Sequence, residues 1–235
     1  REGQEKEIPE FVMDYCFPSQ GTEECITALV CKDCRSGATS SLMVPTKGYD
    51  EWVVKTLVKI IDSHGYGRVL LKSDNEPAIV AVQKAVQAAR TAETAIDDQL
   101  RETMEELAPR GDSQSNGAAD NAVREVEGML RTWKLHVEEK LNCVIDNKHV
   151  LLPWLVQHAG HIITRYKMGA DGKTAYQRLK GKRPSGRIMP FGETILWMQP
   201  KGTEKRANKL EPKHHYGVFV GVEHKSGEFL VLTPD

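Results

Sequence analysis

The feature that most constrains the fold of this chain is the order of the short apolar segments in its first 75 residues. Three of them, at 10–17, 25–31 and 40–44, are rich in β-branched, aromatic and other apolar residues over lengths typical of strands. A helical repeat follows at 50–63, and then a mostly apolar segment at 68–74 that is typical of a central strand. A sheet with helices packed against it buries the apolar sides of all these segments.

The middle of the chain continues with helical patterns. Residues 76–90 are predicted to form a helix, whereas 93–106 is charged and poorly patterned and is compatible with either a helix or a strand. After Gly117 an apolar stripe recurs in steps of three and four, which predicts a long amphipathic helix: Val123, Val126, Leu130, Trp133, Val137 and Leu141. The predicted fold class is therefore α/β, with a mixed sheet flanked by helices.

The last third of the chain has a different organisation. Residues 151–165 are predicted to form one more helix, which starts around Pro153. Three short strands with Gly-rich turns follow Pro190 and indicate a small β-barrel or open sheet. We predict a core at 1–145, a helical and basic linker at 146–189, and a small β-rich module at 190–235.

Charge is distributed unevenly along the chain, although the net charge is only −1. Residues 160–235 carry 14 Lys/Arg and 7 Asp/Glu, a balance of +7, while the rest carries 18 and 26, a balance of −8. Unless this partition is a matter of chance, it predicts a polyanion-binding part beside a part that holds acidic groups. No run of 18 apolar residues occurs, so no membrane partner is expected.

Three acids lie at positions that suggest a shared site. Asp14 interrupts an apolar strand, Asp74 ends a strand, and Asp120 lies at the start of the long helix. Separately they have simple alternatives, namely a strand-end residue, a turn former and a helix cap. A carboxylate inside a buried strand is costly unless it is paired or bound to metal. Together the three acids fit a site for hard divalent cations that act on phosphodiesters.

At these residues the chain resembles a known family. The segments "MDYC", "LLKSDNEPA" and "GDSQSNGAAD" resemble the catalytic core of retroelement integrases, which are RNase H-like DDE/D polynucleotidyl transferases. The segments "GKTAYQRLKGKRPSG", "FGETILW", "KLEPKHHYGVFVGV" and "EFLVLTP" resemble the region after the core in copia-class retrotransposon polyproteins. Both likenesses occur in the right order over nearly the whole chain. The resemblance implies an RNase H-like mixed five-stranded sheet followed by a small β-rich C-terminal module.

The resemblance also assigns catalytic and metal-binding roles to Asp14, Asp74 and Asp120, with two Mg²⁺ (or Mn²⁺) ions as cofactors. The third family acid is normally Glu, so Asp120 is a departure that shortens the side chain by roughly 1.5 Å. The helix could lie closer, a water could fill the gap, or this copy could be impaired. Glu76 is a conceivable auxiliary ligand, whereas Glu127 lies about 10 Å along the helix and is too far away.

DNA contacts follow from the same resemblance. The loop before the helix is expected to leave room for a DNA end and to bind its phosphates through Gln114, Asn116 and Gly117. The helix stripe beyond Asp120 is expected to meet the DNA backbone at Arg124, Arg131 and Lys134. The basic segment is expected to neutralise phosphates at Lys180, Lys182 and Arg183. The alternatives are a solvated helix face and a solvated linker. His158 and His161 are expected to have packing roles.

The expected function is metal-dependent 3′-end processing and strand transfer of retrotransposon DNA into target DNA. The expected partners are element ends, target DNA and further copies of the chain. The alternatives are a catalytically impaired or repurposed DNA-binding relic and an RNase H-like nuclease. An intracellular and finally nuclear location is expected. The charged opening of the chain and its stop at Leu232-Thr233-Pro234-Asp235 leave open whether it is a fragment of a longer polyprotein. The zinc-binding module of the family is not among its residues, which, like Asp120, motivates the relic alternative.

Overall fold

The structure is a computed structural model that describes residues 8–18, 26–97, 99–107, 116–185, 188–198, 212–223 and 227–233. The larger part comprises β1 (Glu10–Cys16), β2 (Thr27–Asp33), β3 (Thr39–Val44), α1 (Glu51–Ser63), β4 (Arg68–Ser73), α2 (Pro77–Asp97), β5 (Glu102–Leu107), α3 (Gly117–Leu141) and α4 (Leu152–Tyr166). Then follow α5 (Ala175–Lys180), β6 (Thr194–Met198), β7 (His214–Val222) and β8 (Phe229–Leu232).

The first five strands form one mixed sheet in the order β3-β2-β1-β4-β5. The pairs β1–β2 and β2–β3 are antiparallel, whereas β4 is parallel to both β1 and β5. This confirms the predicted α/β class with a mixed five-stranded sheet flanked by helices. The segment 93–106 divides between the two alternatives, because α2 continues to Asp97 and the second half forms β5.

Helices cover both faces of this sheet, as the alternation of side chains along β2 shows. Leu29 and Cys31 contribute to the hydrophobic cluster under α1 and α2, while Ala28 and Val30 contribute to the cluster under α3 and α4. Asp50 caps α1 by accepting a hydrogen bond from the Val53 N–H (2.9 Å), as its position before the helical repeat predicts.

Helix α4 packs tightly against β3. The Ser41 hydroxyl donates to the Val156 carbonyl (2.6 Å) and accepts from the Gly160 N–H (3.2 Å). The same helix lies in one hydrophobic cluster with α3, Phe191 and Val220 of β7. The predicted boundaries at residues 145 and 189 stay a prediction. Helix α4 lies between them and packs against β3 and α3, which precede it in the chain, and against β7, which follows it.

Substitution of Gly160 by Ala is expected to destabilise the protein by about 1–3 kcal/mol through overpacking. A Cβ at this position would lie 2.8 Å from Ser41 Oγ and 2.9 Å from the Ser41 nitrogen. Gly128→Ala is a matched control, because its Cβ would meet no atom closer than 4.0 Å within α3. That control is expected to stabilise by about 0.5–1 kcal/mol. Urea unfolding curves measure both, and equal midpoints for the two variants would contradict the prediction.

Strands β6, β7 and β8 form an antiparallel three-stranded sheet in that order. The strands predicted after Pro190 are therefore confirmed. Gly217 permits the close packing of this sheet, because a Cβ there would lie 2.3 Å from Val231 Cγ1 and 3.2 Å from Trp197 Cδ1. Among the helices of the described residues, none combines the length and the apolar character needed to cross a bilayer.

Candidate functional site

Asp14 and Asp74 lie side by side near the carboxyl ends of β1 and β4, two neighbouring strands in the interior of the five-stranded sheet. Strands β1 and β4 are parallel and pair Glu10 with Leu70 and Val12 with Lys72. Extending this register by two residues places Asp14 opposite Asp74. Both residues are half-buried. The sheet therefore brings together two acids that are 60 positions apart in the chain.

The third acid reaches the site from α3, which packs on β1 and β2. Asp120 is half-buried in the first turn of this helix, and its backbone N–H donates to the Asn116 carbonyl (3.1 Å). Asn116 is the residue before the helix, so the interpretation of Asp120 as the cap is wrong. Because Asp120 lies inside the first turn, its carboxylate does not cap the helix, and the positive end of the helix dipole stabilises its negative charge.

The charges of these acids act on one another. Burial raises the pKa of Asp14 to about 6, and a hydrogen bond from the Tyr15 N–H (2.7 Å) opposes this rise. The negative charges of Asp74, Asp120 and Glu76 raise the pKa of Asp14 further. All four carboxylates thus belong to one electrostatic neighbourhood, and a cation placed among them would be stabilised.

The fit of these residues to a divalent metal ion rests on the chemistry of the donors. Oxygen atoms of Asp and Glu are the ligands that Mg²⁺ prefers. Within the described residues, no group of three or more His, Cys, Asp or Glu side chains is arranged to hold a metal ion. Since carboxylates without a cation between them repel one another, we expect these side chains to move together when an ion binds.

Asp14→Asn is expected to stabilise the metal-free protein at neutral pH. The folded state raises the pKa of Asp14 from 3.8 to about 6, so it binds the proton more tightly than the unfolded state does. Stability from this group is therefore fully present below pH 4 and lost as the pH rises to 6. Thermal unfolding in EDTA is expected to show a higher Tm for the variant at pH 7.5 and equal values near pH 4. A difference that does not change with pH would contradict this assignment.

Lys47 lies beside the acids, although no residue pattern predicts it there. Its ammonium lies 2.5 Å from Glu76 Oε1, 5.3 Å from the Tyr15 ring centroid and 4.7 Å from that of Phe17. The adjacent Gly48 N–H donates to the Tyr15 hydroxyl (3.0 Å), which ties the loop after β3 to the end of β1. Lys47 thus provides a built-in positive charge beside the acids.

Lys47→Gln is expected to tighten Mn²⁺ binding by about threefold to tenfold, because it removes a competing cation from a partly solvated site. Titration calorimetry measures the affinity directly. Lys55→Gln is the matched control, since Lys55 makes an ion pair of equal length (2.5 Å) with Glu51 on the exposed side of α1. Weaker Mn²⁺ binding by the Lys47 variant would show that Lys47 does not compete with the ion.

The residues predicted to bind DNA beside the acids have different surroundings. Gln114 lies outside the described residues. Asn116 is buried, and among the described residues its Oδ1 has no hydrogen-bond partner. Gly117 is exposed, and a Cβ there would meet no atom of the described residues within 4 Å. Asn116 and Gly117 thus leave an acceptor and open space at the start of α3.

The basic residues of α3 extend away from the acids. Arg124 is exposed one turn beyond Asp120. Arg131 is exposed and lies 4.0 Å from Glu127, and Lys134 makes a 2.6 Å pair with Glu138. Lys134 lies about 21 Å along the helix axis from Asp120. The ion pairs of Arg131 and Lys134 agree with the alternative of a solvated helix face. Arg124 is the one of the three that lies nearest to Asp120 along α3.

The basic segment after α4 is anchored at the opposite end of the sheet. Lys180 Nζ donates to the carbonyl of Ser63 (3.0 Å), at the end of α1. Arg178 holds the carbonyl of Ser36 (2.7 Å), in the turn between β2 and β3. Strand β4 spans about 20 Å between that end and Asp74. DNA contacts by Lys180 and the exposed Lys182 and Arg183 stay a prediction, and they would involve DNA away from the acids.

Comparison of the fold with solved structures identifies its relatives in shape. No protein-family model matches the chain, and neither does any curated protein sequence. The catalytic core of BIV integrase is 15% identical in sequence, with a TM-score of 0.50. The match covers 73% of this chain and 93% of the BIV chain. The HTLV-2 integrase catalytic core in complex with magnesium, in a trimeric form, is 15% identical with a TM-score of 0.52. That match covers 73% of this chain and 97% of the HTLV-2 chain.

One chain of a larger assembly matches almost the whole of this chain. The assembly is the simian T-cell lymphotropic virus intasome in complex with the PP2A regulatory subunit B56 gamma, and the matching chain has 14% identity and a TM-score of 0.53. The match covers 97% of this chain and 81% of the other. At such identities the likeness concerns the fold. The chain therefore has the RNase H-like α/β fold of retroviral integrase catalytic cores.

Proposed function

We propose that this chain is part of a copia-class retrotransposon integrase, which processes DNA 3′ ends and transfers them to target DNA. One observation carries the proposal: on an integrase-type fold, Asp14, Asp74 and Asp120 come from three separate elements into one electrostatic neighbourhood. A structural role does not explain three neighbouring half-buried acids, because their mutual repulsion destabilises the fold unless a cation compensates it.

In the proposed mechanism these three acids hold the metal. Two Mg²⁺ or Mn²⁺ ions, when bound, would activate the attacking oxygen and stabilise the leaving oxygen of a phosphodiester. In the first step water attacks the phosphorus and releases the terminal nucleotides. In the second step the new 3′-hydroxyl attacks a target phosphodiester, and a target 3′-oxygen leaves. The protein supplies no nucleophile, so its contribution is positioning and charge stabilisation.

The other residues of the site would orient the DNA. The exposed start of α3 offers backbone N–H groups to a phosphate, and the open space at Gly117 allows a strand to approach. Arg124 would contact the next phosphate along the helix. Partners of this kind are supported by the intasome and by the trimeric, magnesium-bound integrase core among the structures of similar fold. We accordingly propose oligomeric assembly on DNA, with the mature protein in the nucleus.

A strand-transfer assay tests this function. The purified chain is incubated with a labelled, pre-processed DNA end, a plasmid target and Mn²⁺, and joined product is expected. Release of short fragments without any joining would instead indicate a hydrolytic nuclease. Neither joining nor cleavage at any protein concentration would overturn the proposal.

A catalytically impaired DNA-binding relic is the second candidate. It is favoured by the shorter Asp120 side chain and by the spread of the acids, which form no ready metal group among the described residues. Joining by Asp120→Glu, but not by the unaltered chain, would identify an impaired copy. DNA binding without turnover by either protein would identify a repurposed one.

A further inference from the structure

A cavity of about 360 Å³ lies between α4, α5 and the C-terminal sheet. Its walls include six residues of α4 and α5, among them His158, Arg165, Tyr166 and Tyr176, together with Phe229 of β8. Since a water molecule occupies about 30 Å³ of liquid, the cavity has room for a planar organic group rather than for a single solvent molecule. No catalytic or metal-binding role proposed above uses these residues.

His158 presents unused hydrogen-bonding groups at this cavity. It is 2% exposed, and within the described part of the chain neither Nδ1 nor Nε2 has a hydrogen-bond partner. Its ring packs against Trp133, Phe191 and Phe219. Burial lowers the pKa of His158 to about 4, so the ring is neutral and offers one donor and one acceptor. Leaving both unused costs stability unless a ligand or water satisfies them.

Arg165 and the aromatic residues form flat surfaces in the same cavity. The Arg165 guanidinium lies 4.7 Å from the centroid of the Tyr176 ring, and among the described residues its Nε has no hydrogen-bond partner. Phe229 is 52% exposed and packs edge-on against Phe219, so it is accessible from solvent. A planar ligand could stack on these groups while its edge bonded to Arg165 and His158.

We propose that this cavity binds an unpaired nucleobase of a DNA strand, an inference that rests on the proposed function. A nucleobase is flat and uncharged, and its edge carries both donors and acceptors, which matches a neutral histidine beside an arginine. The strand backbone has a natural path, because the exposed Lys182 and Arg183 closely precede Ser185 on the cavity wall. Base–aromatic stacking combined with cationic phosphate contacts is the general mode of single-strand recognition.

The test measures binding of fluorescein-labelled single-stranded oligonucleotides and blunt duplexes in EDTA, so that no metal-dependent chemistry takes part. Phe229→Ala is expected to weaken single-strand binding by about fivefold to 100-fold, the range of one lost stacking contact. Duplex affinity is expected to stay within about twofold. Tyr216→Ala is the matched control, since this aromatic residue is 70% exposed on the adjacent strand and does not line the cavity; it is expected to change neither affinity.

His158→Phe provides a second variant. It keeps the ring packing and removes both nitrogens, so it is expected to maintain or raise the Tm while weakening single-strand binding by about tenfold. Unchanged single-strand affinity in both folded variants would overturn the proposal, as expected if a side chain of the protein itself fills the cavity. If the unaltered chain joins no DNA in the strand-transfer assay, but Phe229→Ala and His158→Phe still weaken its single-strand binding, only the proposed catalysis is refuted.

Discussion

Asp74→Asn is expected to reduce joining of a DNA 3′ end to target DNA by at least about 10³-fold, the scale on which catalysis depends on a single preorganised charge-stabilising group. The substitution removes one negative charge from the group that would hold the ions. The amide keeps the size of the side chain, and its oxygen can still accept the hydrogen bond that Asp74 Oδ1 receives from the Glu76 N–H (3.1 Å). The loop is therefore expected to keep its shape while the site loses metal.

The control for this variant is Asp146→Asn. Asp146 is exposed and accepts an equivalent local hydrogen bond from the Lys148 N–H (2.9 Å), but it lies outside the acid group. This control is expected to join DNA at the unaltered rate. Both proteins should bind duplex DNA in EDTA as the unaltered chain does. Joining by the Asp74 variant at more than a tenth of the unaltered rate would place the reaction elsewhere in the molecule.

Arg90→Met is expected to destabilise the fold by about 3–5 kcal/mol, the cost of breaking a buried ion pair by removing one partner. Arg90 is fully buried, and its Nε donates to Asp62 (2.9 Å). Its other nitrogens donate to the Thr103 hydroxyl (2.5 Å) and the Tyr66 carbonyl (3.1 Å). One guanidinium thus connects α1, α2 and β5. Methionine removes this donor from the Thr103 hydroxyl and the Tyr66 carbonyl, while Asp62 still accepts from Arg101 Nε (3.1 Å).

The comparison variant is Arg68→Met. Arg68 pairs with Glu102 at 2.7 Å, but its side chain is 53% exposed, so the expected cost is about 0–1 kcal/mol. Guanidinium chloride unfolding, followed by circular dichroism, measures both variants. Similar losses for the buried and the exposed arginine would show that Arg90 does not hold the edge of the sheet together.

The acids illustrate how far residue patterns extend toward a site. The apolar surroundings of Asp14, the end of an apolar segment at Asp74 and the helical stripe after Asp120 are local features, and each predicts the element that carries the acid. That these elements meet depends on the strand order and on the parallel register of β1 and β4, which the structure established. Lys47 had no such signal, because its role arises only where the loop after β3 approaches β1.

Strand β5 and the basic segment show what residue patterns do not predict. Half-exposed or exposed charges dominate β5, so its residues carry almost no alternation, and only pairing with β4 makes it a strand. The charges of the basic segment predict a polyanion, yet hydrogen bonds to Ser36 and Ser63 place it at the far end of the sheet from the acids.

The amino-acid sequence by itself determined most helices and strands, the presence of acids in three of these elements and the separation of acidic from basic regions. These properties follow from hydrophobic repeats and residue chemistry within a few turns of chain. Tertiary structure alone decided the pairing of the edge strand, the burial of Arg90, the approach of Lys47 to Glu76 and the cavity at His158. Those depend on contacts between distant segments, and their geometry follows from how the sheet and helices pack rather than from any local pattern.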